Sequence, residues 1–337
     1  MKKTLLLIIL GAVNYISAQT LQSEDFNSLT IGNVGTDLTG VTPGQGGMYT
    51  YVAASGNNTN FQIVNEGGAY ANVLQIVGSA TATNSRFLWK DGLATAWSTR
   101  TVGNNIIQVE YDFFTGAAST SKNQIRIALY DVSGAKILAG LTMTQDTKII
   151  QGIANYDNAG TIGNYLFNLG ASGATLPLTA NTWVRVGFTF NKTTGEVIWK
   201  GPGFYAGVNG AATGIDPDEI DFLLTAGTGN TVSSTAKYDN FSARAVITES
   251  LLGVEDFQPA SLVDITLYPN PATSILNVNS LLTITKVQII DLNGRIVKKI
   301  EGNNPINQIN VSDLFAGVYL LNIETEEGLF TKKFVKN

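Results

Sequence analysis

Hydrophobic and polar positions alternate along most of the first two thirds of the chain. In "IIQVEYDFF", Ile107, Val109, Tyr111 and Phe113 fall on one side and Gln108, Glu110 and Asp112 on the other, the period of a strand. "QIRIALYDV" repeats the pattern with Ile125, Ile127 and Leu129, and Ser133-Gly134 predicts a turn into a further strand. "TWVRVGFTF" points Val184, Val186, Phe188 and Phe190 inward. After the turn "NKTTG", "EVIWK" returns with Val197 and Trp199. No helical period longer than two turns stands out. Residues 19–247 therefore predict an all-β fold, a large sandwich of the jelly-roll kind.

Residues 248–264, "TESLLGVEDFQPASLVD", break the alternation and predict a linker. A second β block of immunoglobulin-domain size follows over residues 265–337. It opens on "LYPNPATSILNV", where Pro269 and Pro271 fix φ and withhold ladder donors, so the chain must enter as a bend or an edge. "KVQIIDLNGRIVKKI" reads as a hairpin on Asn293-Gly294, and Glu327-Gly328 predicts another turn.

Composition narrows the chemistry. The 337 residues contain no histidine and no cysteine. Ser-His-Asp and Cys-His nucleophiles, imidazole or thiolate zinc sites and disulfides are thereby excluded. Only 14 % of residues are charged, the net charge is −5, and nothing favours nucleic acid as a partner. The start, "MKKTLLLIILGAVNYISA", has a charged region at Lys2 and Lys3, a short apolar run and small residues at Ser17 and Ala18. It predicts a signal peptide over residues 1–18, cleaved before Gln19. Its apolar run is far short of the ~20 residues of a membrane span, so no transmembrane anchor is expected.

The candidate chemistry lies in carboxylates and aromatic rings. In "DPDEIDFLL", Asp216, Asp218, Glu219 and Asp221 are oxygen ligands within six residues, a possible Ca²⁺ set, and equally an ordinary solvated turn before a strand. Asp25 and Asp239, near the first and last strands, form a second candidate calcium pair. Trp89 in "SRFLWKDG", Trp97 in "ATAWSTR" and Tyr205 in "GPGFYAG" are candidates for stacking on sugar rings, with burial as the competing reading. Trp183 and Trp199 are assigned to packing.

The second block resembles a known family. Tyr268-Pro269-Asn270-Pro271, Asp291 with Gly294 and Arg295, Leu314 with Gly317 and Tyr319, and Lys332-Lys333 are similar to the motifs of the type A C-terminal sorting domain of the type IX secretion system. The resemblance implies an exported cargo. Its partners would be the outer-membrane secretion machinery and a sortase that removes the domain. The cargo would then be released or attached to surface lipopolysaccharide.

The first block is more loosely similar to laminin-G-like, concanavalin-type jelly rolls, through "TWVRVGFTFNKTTGEVIWKGPGFY", "SEDFNSLTIGN" and "KYDNFSARAVI". Such sandwiches host lectins, hydrolases and spacers alike. Glu219 and Asp221 also resemble the catalytic strand of laminarinase-type glycoside hydrolases. They would lie on one face about 6.5–7 Å apart at Cα. Both places where that family carries its second Glu hold leucine, Leu223 and Leu224, which cannot protonate a leaving oxygen. The expected function is a secreted or cell-surface cargo that binds carbohydrate or acts as an adhesin. A spacer without a ligand is the alternative, and a carboxylate-dependent glycoside hydrolase comes third.

Overall fold

The computed structural model describes residues 18–252, 266–280, 283–291, 295–301, 306–325 and 328–337. The chain divides into two compact units, Met1–Phe257 and Gln258–Asn337. Most of the expected signal peptide, residues 253–264 of the expected linker, and the turns at Asn293-Gly294 and Glu327 lie outside the described residues.

The first unit consists of two antiparallel sheets enclosing one core. The nine-stranded sheet runs in spatial order through Phe204–Asn209, Glu196–Gly201, Trp183–Asn191, Ile106–Phe114, Thr235–Val246, Ala71–Val77, Phe61–Gly67 and Gly32–Asn33. Gln19–Glu24 also pairs with Thr235–Val246. The eight-stranded sheet runs through Thr161–Asn168, Ile149–Asn158, Ile137–Thr144, Gln124–Tyr130, Glu219–Thr225, Arg86–Lys90 and Met48–Val52, with Leu176–Pro177 attached to Ile149–Asn158. Neighbours that are distant in sequence, such as Ile106–Phe114 beside Thr235–Val246, give the crossing connections of a jelly roll.

Strand parity builds the core. Val109, Tyr111 and Phe113 from the first sheet meet Ile125, Ile127 and Leu129 from the second, all nearly or fully buried. Each large apolar side chain so buried contributes about 1.5–3 kcal/mol. Two polar-tipped aromatics tie the sheets together. The Trp199 indole reaches across to Gly152, where an added Cβ would sit 2.4 Å from its ring, and Nε1–H donates to the Gly140 carbonyl at 2.7 Å. The Tyr238 hydroxyl donates to the Leu223 carbonyl at 2.6 Å. Burial in this setting holds the phenol far above its ordinary pKa.

Two sequence expectations change here. Gln108, Glu110 and Asp112 face away from the core yet are buried. Residues 248–252, expected to begin the linker, lie over them instead. Leu251 and Leu252 are buried, the Ser250 N–H donates to Gln108 at 2.9 Å, and the Leu252 N–H donates to Glu110 at 2.7 Å. Arg185 and Arg244 pair with Glu110 at 3.2 and 3.1 Å. A short helix, Leu93–Ser98, also appears where no helix was expected.

The second unit is a small immunoglobulin-like sandwich. A three-stranded sheet, Thr266–Tyr268, Ile275–Asn279 and Gln308–Asn310, is accompanied by a four-stranded sheet of Ile296–Glu301, Ile284–Asp291, Gly317–Thr325 and Gly328–Lys336. Leu276, Val278, Val287, Ile289, Leu321 and Phe334 are among its core residues.

Candidate functional site

The outward face of the eight-stranded sheet gathers a group of aromatic and ionisable residues. Parity puts Glu219, Asp221 and Leu223 on this face, because Ile220, Phe222 and Leu224 point into the core. Register then sets the neighbours. Asp221 stands opposite Trp89 on one side and Ala128 on the other, while Leu223 stands between Phe87 and Arg126. Arg126 in turn is opposite Thr142.

Trp89 is half-buried on this face and stacks on Tyr49, with ring centroids 5.6 Å apart and planes 12° from parallel. Gly40 lies against the outer edge of the indole. Its φ is +75°, and an added Cβ would come within 2.6 Å of Trp89 Cη2. The ring is held in place while remaining partly open to solvent.

Beside it, the Glu219 and Asp221 carboxyls lie next to each other on one face of the strand. Burial, then the Glu219 charge, pushes the Asp221 carboxyl well above the usual carboxylate range, and burial raises Glu219 as well. Tyr130 is pushed up to about 12, first by burial and then by the Asp221 charge, and it hydrogen-bonds Arg126. Carboxyl pair, phenol and guanidinium thus share one face of neighbouring strands. Three of its buried polar atoms, or those next to it, have no partner among the described residues: Asp221 Oδ1, Arg126 Nε and Thr142 Oγ1. Sequence reasoning missed Arg126, Tyr130, Thr142 and Tyr49. Their signal was parity against Ile125, Ile127 and Leu129, but their neighbours come from distant strands.

The other candidates are placed elsewhere. Trp97 is 1 % exposed, a core residue of the Leu93–Ser98 helix, and its Nε1–H donates to Asp216 Oδ1 at 2.7 Å. Its ring therefore presents almost no exposed face on which a sugar could stack. The neighbourhood looked polar in sequence because Arg100 lies over the indole, 3.9 Å from its centroid. Tyr205 is 57 % exposed but belongs to the nine-stranded sheet, with its hydroxyl near Glu249. Trp183, assigned to packing, lies on the outward side of its sheet, stacked on Tyr70 at 4.1 Å and donating from Nε1 to Glu66 at 3.3 Å. Parity explains this, since the next residue, Val184, points inward.

The acids of "DPDEIDFLL" do not converge. Asp216 is engaged by Trp97 and by Lys192, at 2.5 Å. Burial opposes its ionisation, but these hydrogen bonds hold its carboxyl below the usual range. Glu219 and Asp221 face each other on the sheet, and Asp218 stays in the preceding loop. Asp25 and Asp239 are brought near each other by the pairing of Glu24 with Phe241. Burial pushes Asp239 up to about 7, with the charges of Asp112 and Asp25 adding to the rise. Asp112 is itself engaged by Arg185 and Asn240. No group of three or more carboxylates among the described residues is placed to hold a metal ion.

In the second unit the proline motif clasps the last strand. The Val335 N–H donates to Asn270 Oδ1 at 2.8 Å, and the Ala272 N–H donates to the Val335 carbonyl at 2.8 Å. The bonds before Pro269 and Pro271 are both cis. Arg295 returns to Asp291 through its backbone N–H and its guanidinium, at 3.0 and 3.1 Å. Tyr319, two residues after Gly317, stacks on Phe334 at 5.6 Å. Lys332 and Lys333 stand opposite Leu321 and Leu320. Gly294 lies outside the described residues.

Residues 266–337 match the family model of the secretion system C-terminal sorting domain. No curated protein matches the chain. Among solved structures it is similar to the cellulose-induced protein Cip1, with 12% identity over 67% of this chain and 97% of that one and a TM-score of 0.39. It is also similar to alginate lyase A1-II′ of polysaccharide lyase family 7, with 9% identity over 57% and 86% and a TM-score of 0.40. A third similar structure is the CBM2 module of the evolved Dit of Lactobacillus casei BL23 phage J-1, with 10% identity over 69% and 97% and a TM-score of 0.39. The C-terminal sorting segment indicates export, and no helix among the described residues is long and apolar enough to cross a membrane.

Proposed function

We propose that the protein is an exported cargo of the type IX secretion system whose large sandwich binds carbohydrate on the outward face of its eight-stranded sheet. The single observation that carries the binding role is the half-buried Trp89, stacked on Tyr49 beside the Glu219–Asp221 pair. An indole offers the apolar face on which a pyranose packs, and carboxyl and guanidinium groups next to it hydrogen-bond hydroxyls. A signal peptide over residues 1–18 carries the chain out of the cytoplasm. Residues 266–337 then deliver it through the outer membrane to a sortase, after which it is released or held on surface lipopolysaccharide. An adhesin is the same reading with the sugar on another cell.

A glycoside hydrolase fits less well. A retaining enzyme needs a second carboxyl about 5–5.5 Å away across the scissile bond. Leu223 holds the next position on the outward face. A spacer without a ligand is favoured by one fact, that Trp89, Trp97 and Tyr205 do not share a surface.

The test is a screen of the purified chain against diverse polysaccharides, with Trp89→Ala as control. Binding that Trp89→Ala weakens while the fold is kept supports the sheet face as the site. Silence across the panel from a folded sample favours the spacer. Export is tested separately by removing residues 266–337, which should leave the protein in the periplasm. A truncated chain that still reached the medium would overturn the address reading.

A further inference from the structure

Arg126 is the unusual residue of the outward face. Its guanidinium is half-buried, and among the described residues no carboxylate pairs with it. Its contacts are neutral, Gln124 Oε1 at 3.0 Å and the Tyr130 phenol, and its Nε is buried without a partner. The two carboxyls on the next strand, Glu219 and Asp221, make no ion pair with it. Directly opposite Arg126, Thr142 is 2 % exposed and its hydroxyl also lacks a partner.

A buried cation without a counter-charge is costly, and burial already lowers the Arg126 pKa. The planar fork of a guanidinium matches the paired oxygens of a carboxylate or sulfate. Thr142, directly opposite on the adjacent strand with Cα atoms about 5 Å apart by strand geometry, offers a hydroxyl as a further donor for such a group.

We propose that Arg126 and Thr142 form an anion-recognition subsite, so that the carbohydrate taken by this face is an acidic polysaccharide whose carboxylate or sulfate docks on the guanidinium. The proposal rests on the sheet-face reading above and deepens it by naming the substrate class. Trp89, in the same cross-strand neighbourhood through Asp221, supplies stacking for the sugar ring, and Arg126 supplies selection by charge.

The experiment titrates the full chain with a polyuronate, a sulfated glucan and the same glucan without sulfate, by calorimetry at two salt concentrations. One of the two charged polymers should bind at least about tenfold more tightly than the neutral one, more weakly at high salt, and which one binds identifies the acidic group. Arg126→Gln should remove that preference, and Arg126→Lys should restore only part of it. Thr142→Val should weaken the charged polymer while leaving the melting temperature unchanged, because its hydroxyl has no partner to lose. If the neutral glucan binds equally and Arg126→Gln changes nothing while Trp89→Ala abolishes binding, the anion subsite is overturned and the sheet-face reading stands. If no polymer binds the folded chain, both fall.

Discussion

Glu219 and Asp221, two residues apart on one strand, meet on the outward face of the eight-stranded sheet, where burial raises the pKa of both carboxyls. Asp221 is opposite Ala128 on a neighbouring strand, and Asp221 Oδ1 is buried without a partner. The pair is a strained element of the surface rather than a solvated one. That has a consequence for stability.

Burial raises the Asp221 pKa in the native state well above its ordinary value of 3.8 in the unfolded chain. Between these values the native state binds more protons than the unfolded state, so stability falls as pH rises. It is fullest below pH 3.8 and is lost as pH rises through the raised native value. Asp221→Asn removes this dependence. Melting temperatures measured from pH 5 to 9 should decline less in Asp221→Asn than in the wild type, leaving the variant a few degrees more stable at pH 8. Parallel pH profiles would show that the proton is not there.

The two tryptophans of the neighbouring segments should separate cleanly. Trp97 is wholly in the core, so Trp97→Ala should cost about 3–5 kcal/mol in urea unfolding. Trp97→Phe, which keeps most of the volume and loses the bond to Asp216, should be milder and should bind ligand like the wild type. Trp89→Ala should lose ligand with a much smaller loss of stability. A binding defect in Trp97→Phe equal to that of Trp89→Ala would return Trp97 to the site.

Much of the fold was legible because alternation is a local property. Ile107, Val109, Tyr111 and Phe113 are buried as their spacing requires, and the hairpin from Trp183–Asn191 to Glu196–Gly201 forms as its turn chemistry suggests. The burial of Gln108 and Glu110 was not legible. It depends on residues 249–252 folding back over them from more than a hundred positions away. Trp183 could have been assigned outward from parity with Val184, whereas the burial of Trp97 needed a helix too short to show a period. The site was half legible. Trp89, Glu219 and Asp221 were marked by residue type, but their meeting with Arg126 and Thr142 is set by strand order, which no local pattern encodes.

Gly40 sets the pose of Trp89. Its φ of +75° disfavours any side chain, and its missing Cβ is the space that the indole edge occupies. Gly40→Ala should cost about 1 kcal/mol or more and displace the ring from Tyr49. Tryptophan emission should shift and polysaccharide affinity should fall, with the core otherwise intact. Unchanged emission and affinity would mean that the ring is not seated by this loop.

Asn270 gives the proline motif of the second unit a mechanical role. Its side-chain oxygen accepts from the Val335 N–H, while the backbone of Ala272 bonds independently to Val335 and Asn337. Asn270→Ala removes the side-chain link and keeps the backbone links, so the strand should stay paired but open more often. A lost hydrogen bond of about 1 kcal/mol corresponds to roughly fivefold in an opening equilibrium. Amide hydrogen exchange at Val335 should therefore quicken by about that factor, with Leu321 and Ile323 in the neighbouring strand little affected. If recognition during export requires the closed strand, the variant should also reach the medium less efficiently than the wild type. Exchange at Val335 as slow as in the wild type would show that the clasp is held by the backbone alone, and the asparagine would then need another role.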